Sequence, residues 1–91
     1  MKFEFDDRKH SANLRKHGID LKDAARVFLN PHRLDSADTR QDYGEERRIA
    51  LGAVSGRVWV VVYTPRADAI RLISARKANE REKIRYHALH T

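Results

Sequence analysis

The chain has 91 residues, with 19 Lys and Arg against 13 Asp and Glu, a net charge of +6 and no cysteine. That length fits one domain, residues 1–91, with a modest core. The missing thiols exclude disulfides, thiolate catalysis and cysteine-held zinc, and the basic excess favours a polyanionic partner such as a nucleic acid.

The opening residues Met1, Lys2, Phe3, Glu4 and Phe5 lack the apolar core of a signal peptide, and residues 2–5 read as a short strand. The longest apolar run, 58–63, is far shorter than the ~20 residues a membrane-spanning helix needs. A soluble cytoplasmic protein is the expectation, with no membrane partner. Asp6 or Asp7 can cap a helix through about His17, which Gly18 stops in a left-handed conformation. Asp20 is a second N-cap, and Leu21, Ala24, Ala25 and Phe28 then repeat at i, i+3, i+4 and i+7. Asn30-Pro31 ends that helix. Residues 32–44 are mostly polar and fit neither period, leaving an edge strand or a loop open.

An antiparallel meander follows, and its register can be argued. With Ser55-Gly56 as a two-residue turn, Val54 faces Arg57, Ala53 faces Val58, Leu51 faces Val60 and Ile49 faces Val62. The alternation assigns Ile49, Leu51, Ala53, Val58, Val60 and Val62 to the core. The opposite face, expected to be open, receives Arg48, Ala50, Arg57, Trp59, Val61 and Tyr63. A three-residue turn at Arg66-Ala67-Asp68 would pair Val62 with Leu72, Tyr63 with Arg71 and Val61 with Ile73, giving a row of Arg48, Tyr63 and Arg71. Residues 77–89 read as the last helix, with Lys77, Arg81 and Arg85 as a basic stripe and Ile84, Ala88 and Leu89 available for docking.

A face carrying Arg48, Arg57, Tyr63 and Arg71 suits RNA, since guanidinium groups hold phosphate in bidentate fashion and Tyr63 or Trp59 can stack on a base. Cleaving RNA without a metal needs a base for the 2′-OH, an acid for the 5′ oxygen and cations for the phosphorane. His17, Glu46, Tyr63 and Tyr86 can supply the proton chemistry. Each also has an ordinary reading: a helix C-terminal cation for His17, a surface ion pair beside Arg47 for Glu46, and an i, i+4 contact with Glu82 for Tyr86. His87 and His90 lack a carboxylate to complete a metal set, and Asp6, Asp7, Asp35 and Asp38 read as caps and turn residues. No metal or other cofactor is expected.

Several of these segments together resemble the BrnT family of toxins. The resemblance is carried by Phe3, Asp6, Asn13, Lys16-His17-Gly18, residues 24–28 and Pro31 in the first half. In the second half Glu46-Arg47, Gly52, Gly56-Arg57, residues 61–64, Arg66, residues 70–76, Ala78, Glu82 and Tyr86 carry it. Phe5 stands where the family usually has tryptophan.

The resemblance implies an α+β, RelE-like fold: a helical hairpin packed on a twisted antiparallel β-sheet, with a C-terminal helix. It implies a metal-independent endoribonuclease of a type II toxin–antitoxin system that inhibits translation by cutting RNA. A cognate BrnA-like antitoxin with a ribbon-helix-helix part would neutralise it in a heterotetramer, reaching promoter DNA only through the antitoxin. Arg57, Arg66, Arg71 and Arg76 would hold the scissile phosphate, Tyr63 would stack or assist proton transfer, and Glu46 or His17 would be base or acid. Arg48, Trp59, Lys77, Arg81, Arg85 and Tyr86 would bind the rest of the RNA. The alternatives are a nucleic-acid-binding module without catalysis, or a protein-interaction module whose strip Trp59, Val61 and Ile73 is the interface.

Overall fold

Alternating and continuous apolar segments build a sheet covered on both sides. The structure, a computed structural model, describes residues 2–89. Its strands are β1 (Lys2–Glu4), β2 (Leu34–Ala37), β3 (Arg48–Val54), β4 (Arg57–Pro65) and β5 (Ala69–Lys77), in the spatial order β1-β5-β4-β3-β2. The helices are α1 (Asp7–His17), α2 (Leu21–Ala24), which tightens into a 3-10 segment over Ala25–Leu29, and α3 (Glu80–Ala88).

The α+β class holds, but the sheet is mixed rather than antiparallel. β1 lies parallel beside β5, with Lys2 opposite Ala69, Phe3 opposite Ile70 and Glu4 opposite Arg71. It shields part of an edge that β5 would otherwise present for pairing with another chain. The short strand of residues 34–37 forms the opposite edge.

The β3–β4 hairpin has the register expected from Ser55-Gly56. Val54 is opposite Arg57, Leu51 opposite Val60 and Ile49 opposite Val62. Ser55 and Gly56, with φ of 52° and 79°, adopt the two left-handed conformations that such a turn requires.

The assignment of faces is reversed. Trp59, Val61 and Tyr63, expected on the open side, lie in the larger cluster with Ile19, Leu21, Ala24 and Val27. The side expected to be the core carries the smaller cluster, in which Leu51, Val58 and Val60 meet Ala78 and Tyr86. The reason lies in β4, which is apolar at every position from Val58 to Tyr63 and is a central strand buried on both faces.

Pairing between β4 and β5 also departs from the expected register. The Arg66 N–H donates to the Ala69 carbonyl at 2.8 Å, and Pro65 is opposite Ile70 rather than Ala69. Tyr63 therefore faces Leu72 and Thr64 faces Arg71. An irregularity between Val62 and Tyr63 then sets Ser74 opposite Val62 and Ala75 opposite Val61. Arg71 consequently shares the α3 side with Thr64, across the sheet from Tyr63.

The helix caps fall where expected. Asp6 Oδ1 accepts from the Arg8 and Lys9 N–H groups at 2.8 and 3.2 Å, and Gly18 ends α1 with φ 80°. Asp20 caps α2 through the Asp23 N–H at 2.7 Å. The last helix starts later than expected, at Glu80, because Lys77 remains in β5 and Asn79 with Glu82 forms a capping box. The stripe through Lys77, Arg81 and Arg85 is thus divided between a strand and a helix.

Candidate nucleic-acid interface

The end of the sheet nearest the β3–β4 turn gathers cations from four elements. α1 delivers Lys16 and His17 in its last turn, and the left-handed Gly18 reverses the chain toward Ile19. β5 ends there with Arg76 and Lys77, and β4 begins there with Arg57. Two adjoining clefts result. One, of about 440 Å³, is lined by Lys16, His17, Gly18, Arg76 and Lys77. The other, of about 340 Å³, shares Gly18 and Lys77 and adds Asp23, Arg26 and Arg57 around a floor of Ile19, Val54 and Trp59.

Asn13 builds this corner. It is 6% exposed, and its Nδ2 donates to the Ile19 carbonyl at 2.7 Å and the Ala75 carbonyl at 2.9 Å. Its Oδ1 accepts the Ala75 N–H at 3.0 Å. One side chain thus ties the segment after His17 to the strand that carries Arg76 and Lys77. Among the described residues, the ion pairs include none to Lys16, Arg57 or Lys77. Arg76 differs: its guanidinium donates to both Glu82 carboxylate oxygens, at 2.8 and 3.0 Å. That fork raises the Arg76 pKa and lowers that of Glu82.

The opposite end holds a different set. Tyr63 donates its hydroxyl to Asp35 Oδ2, and Arg48 Nε donates to Asp35 Oδ1 at 2.6 Å. Burial first, then the Asp35 hydrogen bond, pushes the Tyr63 phenol up to about 12. Its ring meets Phe28 edge-on, with centroids 4.9 Å apart. Arg48 also pairs with Glu46 at 3.5 Å. Arg66 belongs to the exposed turn beyond Pro65, at this same end. Arg57 and Tyr63 stand six residues apart on β4, about 20 Å along a strand.

The expected row of Arg48, Tyr63 and Arg71 therefore does not form. Arg48 and Tyr63 pair, but the shifted register removes Arg71 to the other side. Of the expected catalytic residues, His17, Arg57 and Arg76 converge, while Glu46, Tyr63 and Arg66 lie at the far end of the sheet. Trp59 is 6% exposed, so it forms a cleft floor and cannot offer a free stacking face. With Trp59 and Val61 inside the larger core cluster, the strip expected as a protein interface is closed. Tyr86 is buried as well, its oxygen accepting from Asn30 Nδ2 at 2.5 Å. Arg81 and Arg85 are exposed on α3.

Sequence reasoning missed Lys16, Asp23 and Arg26 as cleft residues. Nothing in local periodicity brings α1, α2 and the hairpin turn together. Among the described residues no three His, Cys, Asp or Glu side chains converge as a metal set; His90 lies outside those residues. No helix among them is long and apolar enough to cross a membrane.

Comparison with curated proteins finds no match. A family model described as "Ribonuclease toxin, BrnT, of type II toxin-antitoxin system" matches residues 5–82, nearly the whole sheet and all three helices up to the first turn of α3. The chain belongs to the BrnT family of ribonuclease toxins.

Proposed function

We propose that this chain cuts RNA without a metal ion, at the paired clefts lined by Lys16, His17, Arg57, Arg76 and Lys77, and so inhibits translation. The observation that carries the proposal is the convergence of four elements on one corner. There Lys16, Arg57 and Lys77, without ion pairs among the described residues, and Arg76, paired with Glu82, stand around a single imidazole. Lysine and arginine supply there the electrostatic stabilisation of a phosphorane that a divalent cation gives elsewhere. An imidazole can take and return a proton near neutral pH.

In this reading the scissile phosphate rests against Lys77 and Gly18, the wall common to both clefts. His17 removes the 2′-OH proton as the 2′ oxygen bonds to phosphorus. The bond from phosphorus to the 5′ oxygen breaks, and that oxygen takes a proton from the Lys77 ammonium or from water. The products are a 2′,3′-cyclic phosphate and a 5′-hydroxyl. Arg57 and Arg76 neutralise the charge on the non-bridging oxygens. Glu46 stands at the other end of the sheet, so His17 carries the proton transfer.

A cognate BrnA-like antitoxin would neutralise the chain by covering this corner, with a ribbon-helix-helix part that carries a heterotetramer to promoter DNA. The layering supports a RelE-like relationship: a helical pair on one face of the sheet and a terminal helix on the other. Incubating the purified chain with RNA in EDTA tests the reading. Cleavage should persist, and His17→Ala should lower kcat by about 10²–10⁴, the usual worth of a positioned proton-transfer group. Loss of cleavage on chelation, or full activity in His17→Ala, would contradict it.

A further inference from the structure

A carboxylate stands where an RNA-binding surface should avoid one. Asp23 lines the smaller cleft together with Arg26, Arg57 and Lys77. It is exposed, and among the described residues no ion pair neutralises it. It sits in the first turn of α2, where a negative charge suits the helix dipole. Its backbone N–H donates to the Asp20 cap, which leaves its own carboxylate oxygens turned to the cleft without an ion pair among the described residues. A negative charge beside bound phosphates costs affinity unless it meets donors on the ligand.

The cleft itself has the features of a base-binding site. Its volume is about 340 Å³, and its floor is the apolar trio Ile19, Val54 and Trp59. Arg57 and Lys77 also line it, and their charges can hold the phosphates that flank a base. Single-stranded RNA is read through splayed bases whose Watson–Crick edges meet polar side chains.

We propose that Asp23 reads guanine at the nucleotide next to the scissile phosphate; this rests on the RNA-cleavage reading of the adjoining cleft. An ionised carboxylate only accepts hydrogen bonds, through two oxygens side by side. Guanine alone presents two adjacent donors, N1–H and N2–H, on its Watson–Crick edge. Cytosine and adenine each set one amino group beside a ring nitrogen lone pair, which would face the second carboxylate oxygen. Uracil places its single N–H between two carbonyls. The fork-like match therefore selects guanine and repels the other three bases.

The test uses four RNA oligonucleotides identical except for G, A, C or U at one position in a uridine background, with kcat/KM measured for each. The G oligonucleotide should be cut at least about fivefold faster, the lower end of what one bidentate base contact supplies. Replacing that guanine by inosine, which lacks the N2 amino group, should remove part of the preference. In Asp23→Asn the ratio of G to the other bases should fall below about twofold, and inosine should no longer differ from guanine. Equal rates for all four bases, a preference for cytosine, or a ratio unchanged in Asp23→Asn would overturn the assignment. If no oligonucleotide is cut, the cleavage reading fails by itself. Fluorescence anisotropy with the 2′-deoxy versions then decides the Asp23 assignment: tighter binding of the G version, lost in Asp23→Asn, supports it, and equal binding overturns it.

Discussion

Asn13 does for β5 what a neighbouring strand would do. β1 pairs with β5 only as far as Arg71, and beyond it the Asn13 amide exchanges two hydrogen bonds with the Ala75 backbone. Asn13→Ala would leave the carbonyls of Ile19 and Ala75 and the Ala75 N–H without this partner in a buried setting. The expected loss is about 2–3 kcal/mol of stability, measured by urea unfolding. Tyr63 makes the opposite case. With its phenol pushed up to about 12 it stays protonated throughout the physiological range. Tyr63→Phe should therefore keep kcat within about twofold, while the lost hydrogen bond to Asp35 lowers stability by about 1 kcal/mol. A raised phenol also means that the folded chain holds its proton longer than the unfolded one, so stability should fall as pH rises above 10. Both roles were hard to read in the sequence. Asn13 is legible only as part of a family resemblance, and Tyr63 reads as exposed because alternation along a strand does not say which face the helices cover.

Local chemistry announced the elements better than it announced their surroundings. Asp6, Gly18, Asp20 and Ser55-Gly56 act through bonds to near neighbours, so the caps and the hairpin turn could be read directly. The orientation of β4 could not, because Val58 to Tyr63 has no polar face to mark solvent. The shift in β5 comes from the pairing of Pro65 with Ile70 and from the irregularity between Val62 and Tyr63, neither of which residue pattern alone fixes. The connection over residues 38–47 was likewise opaque, since its order comes from one buried side chain. Asp38, with no exposed side-chain surface, receives Arg40 at 2.8 and 2.7 Å and the Tyr43 hydroxyl at 3.2 Å. Arg47 in turn lies over the Tyr43 ring, 4.0 Å from its centroid. The Arg40 guanidinium, against the cost of burial, holds Asp38 at about 2, below its ordinary 3.8. A depressed carboxylate stabilises the folded state above its unfolded pKa and loses that contribution as pH falls through the folded one. The protection factors of residues 39–46, their amide exchange measured relative to the intrinsic rate at each pH, should thus be constant near neutrality and fall between about pH 4 and pH 2. Protection that is already falling at pH 6 would contradict this arrangement.

At the scale of the whole molecule, the net charge of +6 pointed to a polyanion but not to a place. The place emerges only when the consecutive helices α1 and α2 meet the β4–β5 hairpin, and those contacts join segments far apart in sequence. Binding through Lys16, Arg57 and Lys77 should weaken steeply with salt, because each neutralised phosphate releases counterions. Lys77→Ala should lower the slope of log affinity against log salt by about 1, measured with a 2′-deoxy oligonucleotide that cannot be cleaved. The same uncleavable ligand gives the most direct measurement of where RNA sits, through amide chemical-shift changes along the chain. The changes should centre on Gly18, Ser55, Gly56, Arg57 and Lys77, at the corner where the two clefts meet. Changes centred instead on Glu46, Arg48, Tyr63 and Arg66 would contradict the account and move the site to the other end of the sheet.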